Sequence, residues 1–415
     1  MKKLAIFSPL PPIKSGIAYY SYDLAKELLK KYKITFFVDK DLEVDPEISK
    51  QFNIVKVLDQ DDILSQLSEF DTVLYQFGNN AYHGYMYDIA LKYPGLVVLH
   101  DLTLHHLVAY LTLDKGDSDE YVKKVSTYYP EYLSEVISGL ENKFAPNYFD
   151  YPFNDEIVES SLAVIVHNNF SKKSLEKKFP KSVFEIPLFF DKSYEVKKIS
   201  TDEINITCFG FITPPKRTGV VLSVFSELVK EFDNIKLNLV GELAEEMTKL
   251  RKFIDDNDLN DKVNLTGFCS SEEFSDYLAK SDICVNLRYP SAGETSATLV
   301  DALGNGIPTI VSKYDQFDEY PDDVVLKVPV DKNEKKYLYS YLNLLISNTD
   351  LRALLGSNSK KFIECNSSLE KVAEEYSKII DDCSSGNFIL AEKILGVGKD
   401  VFTEEIQSVI DELLI

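Results

Sequence analysis

Short, nearly unbroken Val/Ile/Leu runs alternate with segments of helical period along most of this chain. The first half predicts strands at LAIFS (4–8), ITFFV (34–38), TVLYQF (72–77), LVVLH (96–100), AVIVH (163–167) and VFEIP (183–187). The second half predicts INITCFG (204–210), IKLNLVG (235–241), VNLTG (263–267), DICVNL (282–287), PTIVS (308–312) and VVLKVPV (324–330). Helical stretches such as YYSYDLAKELLKKY, VVLSVFSELVKEF and SSEEFSDYLAKS lie between them. Strands apolar on both sides of the pleat, joined by helical crossovers, imply parallel sheets covered on both faces. The pattern restarts after an aperiodic polar stretch, DKSYEVKKISTDE. The expected organisation is therefore an N-terminal α/β domain at 1–190, a linker at 191–203 and a similar domain at 204–366. Helices follow over 367–415, the first of them packing back toward the N-terminal domain. Ligands of such sheets collect at the carboxyl ends of the strands, so the loops there are the candidates for chemistry.

Composition narrows the classes. The chain has 415 residues, 45% hydrophobic and 27% charged, a globular balance with no run near the roughly 18 apolar residues of a membrane helix. The opening MKKLAIFSPLPP breaks early into prolines and reads as a first strand rather than a secretory leader. Five scattered cysteines (Cys208, Cys269, Cys284, Cys365, Cys383) fit neither a disulfide framework nor a zinc site, so a reducing cytoplasm is expected. A net charge of −22 argues against nucleic acid as a partner. A small phosphorylated ligand stays compatible, because the distant field is screened over about 8–10 Å.

The stretch YPSAGETSATLVDALGNGIP (289–308) links two strands through a small-residue loop and an apolar helix. A helix start at Glu294, Thr295 and Ser296 would put Glu294 and Asp301 two turns apart on one face. Ser291, Ala292 and Gly293 would leave the first helical amides open to a phosphate, with Asp301 in reach of ribose hydroxyls. The plainer alternative makes Glu294 a dipole partner and Asp301 a solvated face. Upstream, FGFITPPKRTG sets Lys216 and Arg217 in a loop directly after a strand, where two cations suit a diphosphate.

In the first half, SPLPPIKSGIAYYS places Gly16 between the first strand and helix, where backbone can approach a sugar phosphate. VLHDLTLHHL puts His100 and Asp101 at a strand's carboxyl end, and three of the five histidines fall in 100–106. Asn79, Asn80 and His83 of QFGNNAYHGY follow another strand, and Tyr19, Tyr20, Tyr82 and Tyr85 could stack on sugars. Each has a structural alternative: a buried histidine, or a polar turn capping the helix near Tyr82.

Taken in order and spacing, GFITPPKR, VNLTGFCS and SAGETSATLVDALGNGIPTIVS resemble the donor-binding half of retaining glycosyltransferase family 4. PPIKSGIAYYSYDLA, YQFGNNAYHGYMYDIALKYPGLVVLHDLTLHHL and VIVHNNFS resemble its other half, and the resemblance stops near Ser384. It implies the α/β GT-B fold, two Rossmann-like doubly wound domains around a cleft. It also implies retaining, metal-independent transfer of a hexose-type sugar from a UDP- or GDP-sugar, with no cofactor. The implied acceptor is a glycan, glycolipid or protein of cell-surface glycan synthesis, and membrane-surface or subunit contacts stay open. Lys216 matches the lysine on the diphosphate, Asp301 the acid on the ribose, and Thr295 and Ser296 the residues whose amides receive phosphate. His100 matches a histidine facing the transferred sugar, with Glu294 holding its hydroxyls. Phe268 would lie near the base, and Gly16 and Gly293 beside the donor. Asp101, Asn79, His83 and Tyr20 fall on the acceptor side. Two departures stand out: Gly293 occupies the place of the first motif glutamate, and Phe211 that of an arginine five before the lysine. Arg217 is the expected replacement cation. A silent partner subunit and a nucleotide-sugar 2-epimerase of the same fold are the alternatives.

Two decoys are set aside. The D-x-D triplets at 39–41, 117–119 and 256–258 lie away from strand ends, and no metal is expected. GVGKD (396–400) lacks the leading glycine and the Ser/Thr of a P-loop.

Overall fold

The computed structural model describes residues 1–142, 149–190 and 195–386; GVGKD and the rest of the tail lie outside them. Seven strands form the first sheet: β1 Lys2–Phe7, β2 Tyr32–Asp39, β3 Asn53–Val57, β4 Thr72–Phe77, β5 Leu96–Leu99, β6 Ala163–Val166 and β7 Val183–Glu185. Six form the second: β8 Ile204–Phe209, β9 Ile235–Val240, β10 Val263–Gly267, β11 Ile283–Asn286, β12 Thr309–Lys313 and β13 Val325–Pro329. All pairings are parallel, in the orders β3-β2-β1-β4-β5-β6-β7 and β10-β9-β8-β11-β12-β13. Each sheet thus reverses its strand order once, between β1 and β4 and between β8 and β11. Those are the crevices at which doubly wound sheets bind ligands.

The twelve expected strands all form. The thirteenth, β3, escaped the pattern because NIVKV is an edge strand with exposed Asn53 and Lys56 rather than an apolar run.

The described residues divide into two compact units, one within Met1–Ile186 together with the residues from Ala373 to Gly386, the other within Pro187–Val372. In the first unit Phe7 stacks against Phe37 and Tyr75 at 4.8 and 4.9 Å, a buried aromatic spine across β2, β1 and β4. Burying each such ring contributes about 1.5–3 kcal/mol. The helix Leu369–Ser384 completes this unit from the other end of the chain. Its Tyr376 hydroxyl pairs with that of Tyr20 at 3.0 Å, and the carbonyls of Ser377 and Ile380 accept from Tyr32 and Thr72.

In the second unit the helix Thr218–Leu228 lays Val221, Leu222, Val224, Phe225 and Leu228 onto the sheet. Of the segment expected as a linker, residues 196–199 are tied to the second unit. Val196 N donates to Asn305 Oδ1 at 2.9 Å, Ile199 N to Ala279 O at 2.8 Å, and Lys198 pairs with Asp282 at 2.9 Å. Polar residues without periodicity can still satisfy their backbone on a neighbouring surface, and composition does not reveal that.

Candidate functional site

In the second unit, both loops at the strand-order reversal carry charge. β8 ends at Phe209 and turns through Gly210, whose φ of 84° suits glycine. Lys216 then folds back, its Nζ donating to the Phe209 carbonyl at 2.6 Å. A Cβ on Gly210 would sit 2.6 Å from that same Nζ, so the glycine also makes room for the ammonium. Burial, and then the nearby Arg288 guanidinium, hold the Lys216 pKa well below the usual lysine value. The residue keeps part of its surface in contact with solvent.

Arg288 comes from the other loop, two residues past β11, and sequence reasoning missed it. Its backbone amide donates to Ser312 Oγ at 2.9 Å, and its Nε lies 2.8 Å from Glu294 Oε1. The geometry is that of a close ion pair rather than an aligned hydrogen bond. The other Glu294 oxygen accepts from Ala292 N at 2.9 Å and Ser291 Oγ at 3.0 Å. Gln316 clamps the loop from β12's side, its Nε2 donating to Ser291 Oγ at 2.7 Å and Glu294 O at 2.6 Å. The signal for Arg288 was available: it is a lone cation just past an apolar strand.

This network corrects the expected helix start. The helix spans Ala297–Gly304, with Ser296 as N-cap accepting from Leu299 N. Gly293 at φ 77° cannot continue a right-handed helix, and Glu294 closes the loop instead. Glu294 and Thr295 therefore lie off the helix, and Glu294 and Asp301 do not share a helical face. The amides of Ala292 and Gly293 are also engaged, on Glu294 and on Ser291 Oγ (3.0 Å). Asp301 lies within the helix, half-buried.

Arg217 departs from expectation as well. It sits at φ 56° and turns its guanidinium onto Glu334 in a two-pronged pair, Nε to Oε1 at 3.1 Å and Nη2 to Oε2. Glu334 is 5% exposed while the Arg217 side chain keeps 33% of its surface, so a partly exposed guanidinium is committed to a buried carboxylate rather than held ready for a ligand. Phe268 follows Gly267 (φ 71°) and is 55% exposed, and Phe211 is 53% exposed. Two large apolar rings thus stand in solvent on loops after β10 and β8.

In the first unit the crevice between β1 and β4 is flanked by Gly16 and by Gly78–Asn80. A Cβ on Gly16 would meet nothing within 4 Å, so packing within the unit places no demand on that glycine. Asp101 Oδ2 accepts from Asn79 N at 2.8 Å, and Asn79 Oδ1 accepts from His106 N at 2.8 Å and Leu107 N at 3.3 Å. The two residues clasp the ends of β4 and β5 to the helix His105–Leu111. Asn80 caps the turn that follows by accepting from Tyr82 N at 3.0 Å.

Three expected surface groups are internal. His83 is fully buried, its Nδ1 donating to Gln76 O at 2.8 Å, and burial pulls its pKa down to about 4. Tyr20 is buried edge-on to His100 and His167, and burial raises its hydroxyl pKa. His100 has both ring nitrogens occupied. His167 Nδ1 must carry the proton it gives to Ile186 O (2.8 Å), which leaves His167 Nε2 an acceptor for His100 Nδ1–H at 3.1 Å. His100 Nε2 is then an acceptor, and Gln76, 2.7 Å away, presents its amide NH₂ to it. Gln76 Nε2 has no partner with the side-chain amide the other way round. The expectation that His100 faces the sugar thus gives way to an imidazole locked neutral in a relay, with its pKa well below the usual value through burial and His167. Strand-end position was legible in the sequence; the inward rotamers of these rings were not.

The D-x-D triplets have local work. Asp39 accepts from Asp41 N, Asp117 caps the helix Ser118–Tyr128, and 256–258 ends the helix Lys249–Asp256. Among the described residues no helix is long and apolar enough to cross a membrane.

Residues 189–362 match the model of a family described as glycosyl transferases group 1. An uncharacterized glycosyltransferase of Methanocaldococcus jannaschii is 23% identical over 318 residues, 75% of this chain and 75% of its own length. Uncharacterized glycosyltransferase YqgM of Bacillus subtilis is 26% identical over 197 residues, 45% of this chain and 54% of its own. Among solved structures, sucrose-phosphate synthase from Thermosynechococcus elongatus superposes with a TM-score of 0.67 at 14% identity, covering 93% of this chain and all of that one. HepE from Anabaena, solved with UDP and glucose, gives 0.64 at 13% identity, covering 92% of this chain and all of its own. The lipopolysaccharide glycosyltransferase WaaG gives 0.62 at 12%, covering 91% and 99%. At these identities the structural likeness establishes the fold, two doubly wound α/β domains of GT-B type.

Proposed function

Because residues 189–362 carry a glycosyl transferases group 1 domain, and the chain is accordingly a glycosyltransferase, we propose the transfer it performs. It is a retaining, metal-independent transfer of a hexose-type sugar from a UDP- or GDP-sugar to a glycan, glycolipid or protein acceptor. The observation that carries this reading is the ammonium of Lys216, folded over the end of β8 at the strand-order reversal of the second sheet. The Arg288 guanidinium, on the loop after the adjacent strand, is near enough to act on it electrostatically, and two cations at this crevice suit a diphosphate.

The chemistry follows from charge. Breaking the sugar–phosphate bond leaves negative charge on the departing nucleoside diphosphate, and a fixed cation there lowers the barrier. Such preorganised stabilisation is usually the largest catalytic term. A group whose proton is loosened by burial regains it when a polyanion arrives, so Lys216 gains charge where charge develops. Front-face attack lets the leaving phosphate take the acceptor's proton, with no separate base. Asp301 accepts from the ribose hydroxyls, and Phe268 offers its ring to the base. In the first unit Gly16 leaves backbone open to a ligand, and Asn79 and Asp101 brace the neighbouring strand ends. UDP as the nucleotide draws support from HepE, whose structure holds UDP and glucose. The setting is cell-surface glycan synthesis at the cytoplasmic side of a membrane.

The test is a panel of UDP- and GDP-sugars, followed for release of nucleoside diphosphate and for change in the sugar. Hydrolysis or transfer with retained anomeric configuration, lost in Lys216→Ala and unaffected by EDTA, supports the reading. Inversion, a requirement for manganese, or conversion of the sugar to its 2-epimer would refute it.

A further inference from the structure

The two basic residues of the second unit's crevice are held in opposite ways, and that difference identifies the second cation. Arg217, partly exposed, is gripped by the buried Glu334, whose two oxygens meet its Nε and Nη2 together. Arg288 touches a single carboxylate oxygen, Glu294 Oε1, and does so off the line of a hydrogen bond. Glu294 is itself engaged by Ala292 N and Ser291 Oγ. Its second oxygen is thus taken, and Arg288 meets one carboxylate oxygen where Arg217 meets two.

The surroundings of Arg288 are polar and incompletely paired. Gln316 Oε1 and Asn286 Oδ1, both buried, accept no hydrogen bond from the described residues. Both are acceptors and call for a donor, so the unpaired donor that bears on an anion is Arg288 Nε itself. Arg288, 11% exposed and with one carboxylate oxygen as its ion-pair contact, has guanidinium donors to spare for a second anion. The fork of a guanidinium fits two oxygens of one phosphate in a way an ammonium cannot.

We infer that Arg288, rather than Arg217, is the second cation of the diphosphate site, and that Glu294 holds its side chain over the crevice until a nucleoside diphosphate replaces part of that pairing. This rests on the reading of Lys216 as a diphosphate ligand. Lys216 then supplies a point charge and Arg288 a two-oxygen grip, from loops that follow adjacent strands, β8 and β11. Glu294 acts as a positioning residue through Arg288.

The experiment is calorimetric titration of the full chain with UDP, inorganic pyrophosphate and uridine, comparing wild type with Arg288→Gln, Arg288→Lys, Arg217→Gln and Lys216→Ala. Arg288→Gln should weaken UDP and pyrophosphate by a similar factor, at least about tenfold for a lost charge-assisted contact, and leave uridine within about twofold. Arg288→Lys should fall between it and wild type, and Arg217→Gln should cost less than Arg288→Gln. Equal loss for uridine would mean Arg288 merely supports the loop, and the inference fails. A larger loss in Arg217→Gln also overturns it. If Lys216→Ala weakens UDP while Arg288→Gln does not, this inference alone falls. If wild type binds no nucleoside diphosphate, or Lys216→Ala leaves binding unchanged, the transferase reading of the crevice falls with it. Thermal unfolding of each variant identifies one that has failed to fold, and Arg288→Lys, which keeps the charge, then decides the matter.

Discussion

Lys216 Nζ occupies the place where Gly210 would carry a side chain: it lies 2.6 Å from the Cβ position and 2.6 Å from the carbonyl oxygen of Phe209. A glycine and a lysine six residues apart are thus one device, a turn emptied so that an ammonium can fold over a strand end. Gly210→Ala should strain the backbone by about 1 kcal/mol, since φ there is 84°, and push the ammonium off the Phe209 carbonyl. The expected result is a drop in UDP affinity of the same order as Lys216→Ala, with a smaller loss of thermal stability than a core substitution. Titration of UDP against both variants checks it; undiminished binding in Gly210→Ala would show that the lysine's placement is unimportant.

The acid on the helix Ala297–Gly304 is tested by changing the ligand rather than the pH. With Asp301 on ribose hydroxyls, Asp301→Asn should weaken UDP by about 1.5–3 kcal/mol, the worth of a hydrogen bond to a charged group. Inorganic pyrophosphate, which has no ribose, should bind as to wild type. Equal loss for both ligands would remove Asp301 from the ribose site.

Arg217 and Glu334 give a stability prediction with an unusual order. Arg217 is a non-glycine residue at φ 56° whose guanidinium neutralises a buried carboxylate. Both Arg217→Ala and Arg217→Gly strand Glu334 and should destabilise the fold by up to about 3 kcal/mol, reduced by the partial exposure of the arginine. Glycine relieves the left-handed conformation and alanine does not, so the glycine variant should be the more stable by about 1 kcal/mol. Chemical denaturation compares them directly; alanine the more stable would show that the turn holds no strain.

The imidazoles of the first unit predict an acid limb. Burial lowers the pKa of His83 and of His167 to about 4, below the ordinary value of 6.5. The unfolded chain therefore binds more protons as pH falls below 6.5, and stability is lost progressively from there toward pH 4. At pH 5 each group should have cost about 2 kcal/mol relative to pH 7. His167→Gln, which can still donate to Ile186 O and accept from His100, should flatten the slope of unfolding free energy between pH 7 and pH 5. An unchanged slope in that variant would show that His167 is not neutral and buried.

What could be read without coordinates follows physical lines. Apolar runs such as TVLYQF and AVIVH announced buried strands because two covered faces leave little choice of residue, whereas NIVKV at a sheet edge is under no such demand. Lys216 was legible as a cation after a strand. The pairing that commits Arg217 was not, because Glu334 lies 117 residues away. Nor could periodicity reveal that Gly293 would adopt a left-handed turn and delay the helix to Ala297. His100, His83 and Tyr20 show the commonest limit: position along a strand is encoded locally, but which way a ring turns is decided by neighbours such as Gln76, His167 and Tyr376.

The helix that brings Tyr376, Ser377 and Ile380 against Tyr20, Tyr32 and Thr72 carries a consequence for biosynthesis. A ribosome makes β1 and β2 first, yet the surface that covers Tyr20 and Tyr32 is translated more than three hundred residues later. The second unit, continuous in sequence, has all its strands before that helix exists and can finish first. The amino-terminal half must meanwhile wait with an uncovered apolar flank, in need of shelter by chaperones or by its own partial collapse. Messages truncated shortly before codon 373 would then yield a chain whose later-made domain is intact and whose earlier-made one is not.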